Sequence, residues 1–231
     1  MKLAIIPARS GSTRIKDKNI INFCGKPLIT YSLQTASESG IFDKIHVSTD
    51  SKKYQKLVNK LGYKTDFLRD PLLAINSAPI TDILRWVVKK YQSMGEDVSD
   101  VCMILSTAPL IDGNDIKSAY KLFLEHDKKY PVLSVASFTS PIERGFKIGE
   151  KNLLEPIFPE MLSKHSQELS KTYHDAGAFF IIDAQQLIND TIKVYKKYLP
   201  YVLPRHKVVD IDEPEDLKMA EVLYIGNKKI T

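Results

Sequence analysis

Short apolar runs alternate along the chain with stretches whose apolar residues recur every three or four positions. Leu3-Ala4-Ile5-Ile6-Pro7-Ala8 is a continuous apolar run, the pattern of a strand buried on both faces. Gly25-Lys26-Pro27 opens a helix that Gly40 closes. A second strand covers Lys44–Asp50, and a helix from about Lys52 to Leu61 ends at Gly62. Thr65–Arg69 reads as a short third strand. Ile80, Ile83, Leu84, Val87, Val88 and Tyr91 fall on one helical face, the clearest such stripe in the sequence. Val101–Leu105 is an apolar run between polar flanks, Ile116, Ala119, Tyr120 and Phe123 mark a helix, and Val132–Phe138 a further strand. Strand texture returns at Ala178–Ile182 and Val208–Ile211, before a helix that begins near Pro214.

This alternation predicts an α/β fold with a doubly wound, mostly parallel sheet. A chain of 231 residues, 43% of them hydrophobic, can bury a full core and is expected to form one domain over residues 1–231. Residues 140–172 break the pattern: Pro141, Pro156 and Pro159 punctuate mixed polarity. So long a connection is expected to be an insertion with a role, as a lid, a substrate wall or a dimer arm.

The first candidate chemistry follows the first strand. Arg9-Ser10-Gly11-Ser12-Thr13-Arg14-Ile15-Lys16-Asp17-Lys18 carries four cations and one acid in a Gly/Ser-bearing segment. The carboxyl ends of strands are where open α/β sheets bind ligands. A Gly/Ser turn can aim N–H groups at an anion while Arg and Lys neutralise it, so a polyphosphate is the expected ligand. The segment is neither a Walker A loop nor Gly-x-Gly-x-x-Gly; a solvated basic loop is the alternative.

Net charge is +5, but the excess lysines sit in scattered pairs such as Lys52-Lys53 and Lys196-Lys197. Without interleaved aromatics these do not make a nucleic-acid surface, and the balance suits an acidic small molecule. Cys24 and Cys102 have no paired spacing, which argues for a reducing compartment. The apolar N-terminal stretch is too short for a signal peptide or a membrane span. A cytoplasmic, soluble protein with no membrane partner is expected.

A second cluster is Asp210-Ile211-Asp212-Glu213-Pro214-Glu215-Asp216. In an extended segment Asp210 and Asp212 share a face. Paired hard carboxylates suit Mg²⁺ held partly by substrate phosphates. Capping of the helix at Pro214 explains Glu213, Glu215 and Asp216 but not Asp210. The five histidines show no zinc spacing. A basic triphosphate loop plus an acidic metal pair suggests nucleotidyl transfer, which needs charge neutralisation and in-line positioning more than a protein nucleophile.

These residues resemble a known family. Ile5–Asn19, Phe23-Cys24-Gly25-Lys26-Pro27-Leu28-Ile29, Val47-Ser48-Thr49-Asp50, Thr107-Ala108-Pro109-Leu110 and Val209–Asp216 are similar to the signatures of CMP-nonulosonic acid synthetases, the acylneuraminate cytidylyltransferase family. Ser166-Gln167-Glu168-Leu169, Tyr173–Phe180 and Pro200–Arg205 resemble its pseudaminic acid branch. The resemblance implies the nucleotide-diphospho-sugar transferase (Rossmann-like) architecture and a homodimer. It implies a Mg²⁺-dependent reaction joining CTP to the anomeric hydroxyl of an acidic nine-carbon sugar. Arg9, Ser12, Lys18 and Asn19 fall on CTP-holding positions, with Ser10 and Gly11 shaping the turn, Arg14 beside them and Arg69 on the nucleotide side. Asp210 and Asp212 fall on the metal-binding aspartates. Arg9, Lys18 and Asp212 are the expected catalytic set; Arg144, Lys164, Tyr173 and His174 are the candidates for the sugar.

Where that family has Gly-Gly-Ser-Lys, this chain has Ser10-Gly11-Ser12-Thr13. Leu105-Ser106 replaces the pair usual before Thr107, and Asp17 and Asn76-Ser77 are also unusual. Two alternatives stand beside this reading: the same chemistry on legionaminate, neuraminate or 3-deoxy-manno-octulosonate, and, because of Ser10 and Thr13, a catalytically impaired protein that binds CTP or a CMP-sugar.

Overall fold

The structure is a computed structural model that describes residues 1–75, 77–189 and 197–230. In chain order its strands are β1 (Lys2–Pro7), β2 (Asn22–Phe23), β3 (Lys26–Pro27), β4 (Lys44–Ser48), β5 (Asp100–Ile104), β6 (Val132–Ser137), β7 (Phe146–Ile148), β8 (Leu154–Pro156), β9 (Tyr173–Asp183) and β10 (Leu199–Val202). The helices are α1 (Ile29–Glu38), α2 (Lys52–Lys60), α3 (Ile80–Ser93), α4 (Gly113–Glu125), α5 (Ala184–Ile188) and α6 (Pro214–Ile230). A six-stranded sheet runs β10-β6-β9-β5-β1-β4. β1 is parallel to β4 and β5, β10 is parallel to β6, and β9 runs against both its neighbours. The mostly parallel sheet expected from the apolar runs is therefore present.

Alternation along β1 shows why both faces carry helices. Ala4 and Ile6 pack with Ile29 and Leu33 of α1, Tyr54 and Val58 of α2, and Ile116 and Phe123 of α4. Leu3 and Ile5 pack with Leu84, Val87, Val88 and Tyr91 of α3 and Leu187 of α5. Each element then meets its own apolar stripe, the consistency a doubly wound fold needs. Helix starts are fixed locally: Asp112 and Asp115 form a reciprocal capping box on α4, and the Ser51 hydroxyl caps α2.

Two expected strands do not form. Thr65–Arg69 joins no ladder: the Arg69 N–H donates once, to the Thr49 carbonyl at 2.7 Å, and Asp70-Pro71 turns the chain into a 3₁₀ segment. Val208–Ile211 is likewise outside the sheet, because Ile211 is fully buried in an apolar cluster beside it. The outer strand is instead β10, which Pro200 hides from a sequence reading; at an edge its missing N–H is tolerated. Between β6 and β9 the chain forms an antiparallel ribbon, β7 with β8, among short 3₁₀ turns. Its apolar side chains Phe146, Ile148 and Leu154 are exposed.

Candidate active site

A small apolar cluster brings the two chemically dense segments together. Ile15, inside the basic segment, and Ile211, between the two aspartates, are both buried with Phe23, Leu28, Tyr31 and Ala220. Burying an isoleucine contributes about 1.5–3 kcal/mol. With Ile15 and Ile211 turned inward, Arg14, Asp210 and Asp212 are left facing out. They line one cavity of about 500 Å³ together with Arg9, Ser12, Thr13, Lys18, Asn19, Arg69 and Ser106. It lies at the carboxyl ends of β1 and β5, where ligands bind in such sheets.

Ion pairs close the join. The Lys18 ammonium donates to Asp212 Oδ1 at 2.9 Å and to the Ile211 carbonyl at 2.6 Å. Arg14 Nη2 lies 2.7 Å from Asp212 Oδ2. The Lys18 hydrogen bond holds the Asp212 carboxyl below the usual carboxylate range, and Arg14 adds to the effect. Asp210 moves the other way, raised by partial burial and then by the negative charge of Asp212. Among the described residues Asp210 accepts no hydrogen bond and forms no ion pair. It is a hard anionic oxygen donor on the wall of a cationic cavity, with the Lys18 charge nearby but no direct partner, a fit for a divalent ion shared with phosphate oxygens.

The loop is braced from behind. Ser10 is turned away from the cavity: its N–H donates to Asp50 Oδ1 at 2.9 Å and its hydroxyl to Asp50 Oδ2 at 2.7 Å. Ser10 and Gly11 therefore shape the turn, and neither lines the cavity. Arg9 Nη1 donates to the Gly11 carbonyl at 2.6 Å. Asn19 donates to the Arg9 carbonyl at 2.8 Å, and the Ser106 hydroxyl lies 2.7 Å from Asn19 Oδ1 and 3.0 Å from the Pro7 carbonyl. Asp17 adopts a left-handed backbone (φ 54°), a conformation Asp tolerates. Lys53 and the Tyr54 hydroxyl fix its carboxylate at 2.7 and 3.1 Å. Buried Arg69 donates to the Ser48 carbonyl at 2.6 Å and the Ser48 hydroxyl at 3.0 Å, and burial pushes it down to about 10, still charged at neutral pH.

Asp210 is seated by a bulge in β9. Pairing of β6 with β9 shifts between Leu133 and Val135, and the buried Ser134 hydroxyl fills the gap, accepting from the Phe179 N–H (2.9 Å) and donating to its carbonyl (2.8 Å). Gly177 takes φ +59° there, and a Cβ on it would lie 3.6 Å from Asp210 Cγ. The Gly177 N–H donates to Asp175 Oδ1 at 2.8 Å. Bulges re-aim side chains beside sites in this way.

The sugar candidates fall elsewhere. Arg144 donates to the Lys164 carbonyl at 3.0 Å, on an exposed part of the insertion. Tyr173 is exposed beneath Lys171, and His174 packs against Phe138. None of the four lines the 500 Å³ cavity. Asp50, Ser106, Ser134 and Gly177 were not singled out as site residues by the sequence. The polar residues Asp50 and Ser106 at the carboxyl ends of apolar runs were the available signal.

A crevice that joins a cationic turn to paired carboxylates, at the carboxyl edge of a doubly wound sheet, has the parts of a nucleotidyltransferase. The cytidylyltransferase family profile matches residues 3–230, and the chain belongs to that family. It is 38% identical over 225 residues to a pseudaminic acid cytidylyltransferase of Campylobacter jejuni (serotype O:23/36, strain 81-176), with 97% of each chain covered. An N-acylneuraminate cytidylyltransferase of Escherichia coli O18:K1:H7 is 30% identical, covering 98% of this chain and 52% of that one. The CMP-N,N'-diacetyllegionaminic acid synthase of Legionella pneumophila is 28% identical across 98% of this chain and 97% of its own. Among solved structures, a CMP:2-keto-3-deoxy-manno-octonic acid synthetase complexed with CTP superposes with a TM-score of 0.71 at 15% identity, covering 98% of this chain and 99% of that chain. The likeness shows a shared fold. No helix among the described residues is long and apolar enough to cross a membrane.

Proposed function

We propose that this chain is a Mg²⁺-dependent cytidylyltransferase that joins CTP to the anomeric hydroxyl of a nonulosonic acid, pseudaminic acid first among them. The observation that carries the reading is the convergence of Arg9, Ser12, Thr13, Arg14 and Lys18 with Asp210 and Asp212 around one cavity. The choice of sugar is supported by the 38% identity to the Campylobacter jejuni enzyme along 97% of both chains.

In this reading the sugar hydroxyl oxygen bonds to the α-phosphorus of CTP as the bond between that phosphorus and the bridging oxygen of the β-phosphate breaks; pyrophosphate leaves with that oxygen, and the hydroxyl proton passes to solvent. Arg9 and Lys18 neutralise the triphosphate, with Ser12 and Thr13 as neutral donors on the same turn. Thr13 stands where the family has lysine, and Arg14, next to it and already in the cavity wall, supplies a cation there. Asn19 acts by holding the Arg9 carbonyl, and buried Arg69 adds positive charge to the lining of the same cavity. Asp210 and Asp212 would hold Mg²⁺, which supplies charge neutralisation at the phosphates when bound. Asp210 and Asp212 are two hard oxygen donors, and an ion held by them would take further oxygens from the substrate phosphates.

A homodimer through residues 140–172 is supported by exposed Phe146, Ile148, Leu153 and Leu154 on the ribbon, apolar area that a partner copy would cover. Sedimentation as a monomer at assay concentration contradicts it. A cytoplasmic location fits the substrates, CTP above all. The test of function is pyrophosphate release from CTP and Mg²⁺ with separate nonulosonic acids. Turnover greatest with pseudaminic acid is expected; CTP binding without turnover of any sugar would leave only the nucleotide-binding alternative.

A further inference from the structure

Among the described residues the Asp210 carboxylate has no hydrogen-bond or ion-pair partner, so its position depends on the backbone that carries it. That backbone belongs to no strand. The N–H groups of Val209, Asp210 and Ile211 meet no acceptor among the described residues. With no ladder to set its register, the segment is fixed by side chains at its two ends. Downstream, Ile211 is buried with Val209 packed beside it, and Lys18 holds the Ile211 carbonyl at 2.6 Å. Upstream, three residues before Asp210, stands Lys207.

The Lys207 ammonium donates to Asp112 Oδ2 at 2.7 Å and to Asp115 Oδ2 at 2.8 Å. Both carboxylates belong to the capping box that starts α4, and Asp115 is buried, so the upstream anchor is rigid. Asp112 follows a stretch of chain that is itself pinned to α1. The Ser32 hydroxyl donates to the Leu105 carbonyl at 2.7 Å, and the Thr35 hydroxyl to the Ile111 carbonyl at 3.0 Å. Leu105, Ser106 and Thr107 of that stretch line the 500 Å³ cavity. Lys207 therefore ties the segment that carries Asp210 to a wall of the cavity itself. Asp210 is held from two sides: by Lys18 from the basic turn, and by Lys207 from the start of α4.

We infer that Lys207 is a positioning residue for the reaction: its two ion pairs set where the Asp210 carboxylate stands on the cavity wall, and with it the affinity for a divalent cation. The inference rests on the reading of Asp210 as a metal ligand. Lys207 does not line the cavity and acts only through the backbone that leads to Asp210. Groups that orient a metal ligand without touching the metal govern affinity in this way. A lysine that served α4 alone would change unfolding and leave metal binding as it was.

The experiment is Mn²⁺ binding at saturating CTP, followed by electron paramagnetic resonance, for wild type, Lys207→Met, Lys207→Arg and Asp112→Asn. Thermal unfolding is recorded on the same samples. Lys207→Met is expected to weaken Mn²⁺ binding at least about tenfold. Lys207→Arg recovers part of the loss, because it keeps the charge but not the compact ammonium. Asp112→Asn removes one ion pair while asparagine still caps α4, so it gives a smaller loss and keeps the test open if Lys207→Met does not fold. In an Asp210→Asn background, Lys207→Met costs no further Mn²⁺ affinity, since it acts through Asp210. Undiminished Mn²⁺ binding in the folded variants overturns the inference, and so does an equal loss with and without the Asp210 carboxylate. A wild type that binds no Mn²⁺ with CTP removes Asp210 as a metal ligand, and the role of Lys207 with it. That outcome is distinct from a wild type that binds Mn²⁺ and is indifferent to Lys207.

Discussion

Lys18 is the side chain through which the two ends of the chain are joined, so Lys18→Met tests the site at its seam. Methionine keeps most of the stem and removes the charge with both hydrogen bonds, to Asp212 at 2.9 Å and to the Ile211 carbonyl at 2.6 Å. Hydrogen bonds to charged groups contribute about 1.5–3 kcal/mol when desolvated. Lys18 is only 18% exposed, but Asp212 is 37% exposed, so solvent screening brings their ion pair down to about 1 kcal/mol. With about 1–2 kcal/mol more for the Ile211 carbonyl, placement of the loop loses about 2–3 kcal/mol. That corresponds to about a 30- to 150-fold fall in kcat/KM for CTP. The pH profile gives an independent reading. Lys18 is the main cause of the lowered Asp212 carboxyl, so in the variant that carboxyl rises and the acid limb of kcat/KM moves to higher pH. Pyrophosphate release measured across the acid range, with thermal unfolding recorded at each pH, separates loss of activity from loss of fold. A kcat/KM for CTP within about twofold of wild type, with an unmoved acid limb, refutes the role given to Lys18.

Asp210→Asn is expected to raise the Mg²⁺ concentration for half-maximal activity at least about tenfold, and to raise the Tm at neutral pH, because burial and Asp212 disfavour the Asp210 carboxylate in the folded state. A lower Tm or an unchanged Mg²⁺ requirement contradicts this. Gly177→Ala puts a side chain on a backbone at φ +59° with only ordinary contact to Asp210, so urea unfolding should report a loss of about 1–2 kcal/mol; no measurable loss argues against the bulge. His46 is fully buried, its Nδ1 lies 3.0 Å from the Tyr91 hydroxyl, its Nε2 has no hydrogen-bond partner among the described residues, and burial pushes it down to about 4. The unfolded chain therefore binds a proton near pH 6.5 that the folded protein refuses, and about 3 kcal/mol of stability present above pH 6.5 is lost as the pH falls to 4. Chemical denaturation of wild type and His46→Phe at pH 7 and pH 4.5 should show the smaller acid loss in the variant; equal losses remove His46 as the cause.

The doubly wound sheet was legible because its strands are unbroken apolar runs and its helices carry stripes at the helical spacing, as with Ile83, Leu84, Val87 and Tyr91 of α3. β10 was not, because Pro200 reads as a strand breaker and only its place at the edge makes it harmless. Both charged segments stood out by local density of like charge. Their meeting did not, since it depends on Ile15 and Ile211 sharing one buried cluster, a contact no spacing encodes. The braces behind the site were hidden for a related reason: Asp50 on Ser10, Ser106 on Asn19 and Ser134 in the β9 bulge act through single contacts between distant residues. Arg144 and Lys164 were named for their charge alone, and the structure places them on the insertion, outside the 500 Å³ cavity.

The most direct measurement is a crystal structure of the protein soaked with CTP and Mn²⁺, with anomalous diffraction collected to locate the metal. The triphosphate is expected along the turn that bears Arg9, Ser12 and Lys18, with the anomalous peak bonded to Asp210 or Asp212 and to phosphate oxygens. A nucleotide bound away from that turn, or a metal that touches neither aspartate, would contradict the account.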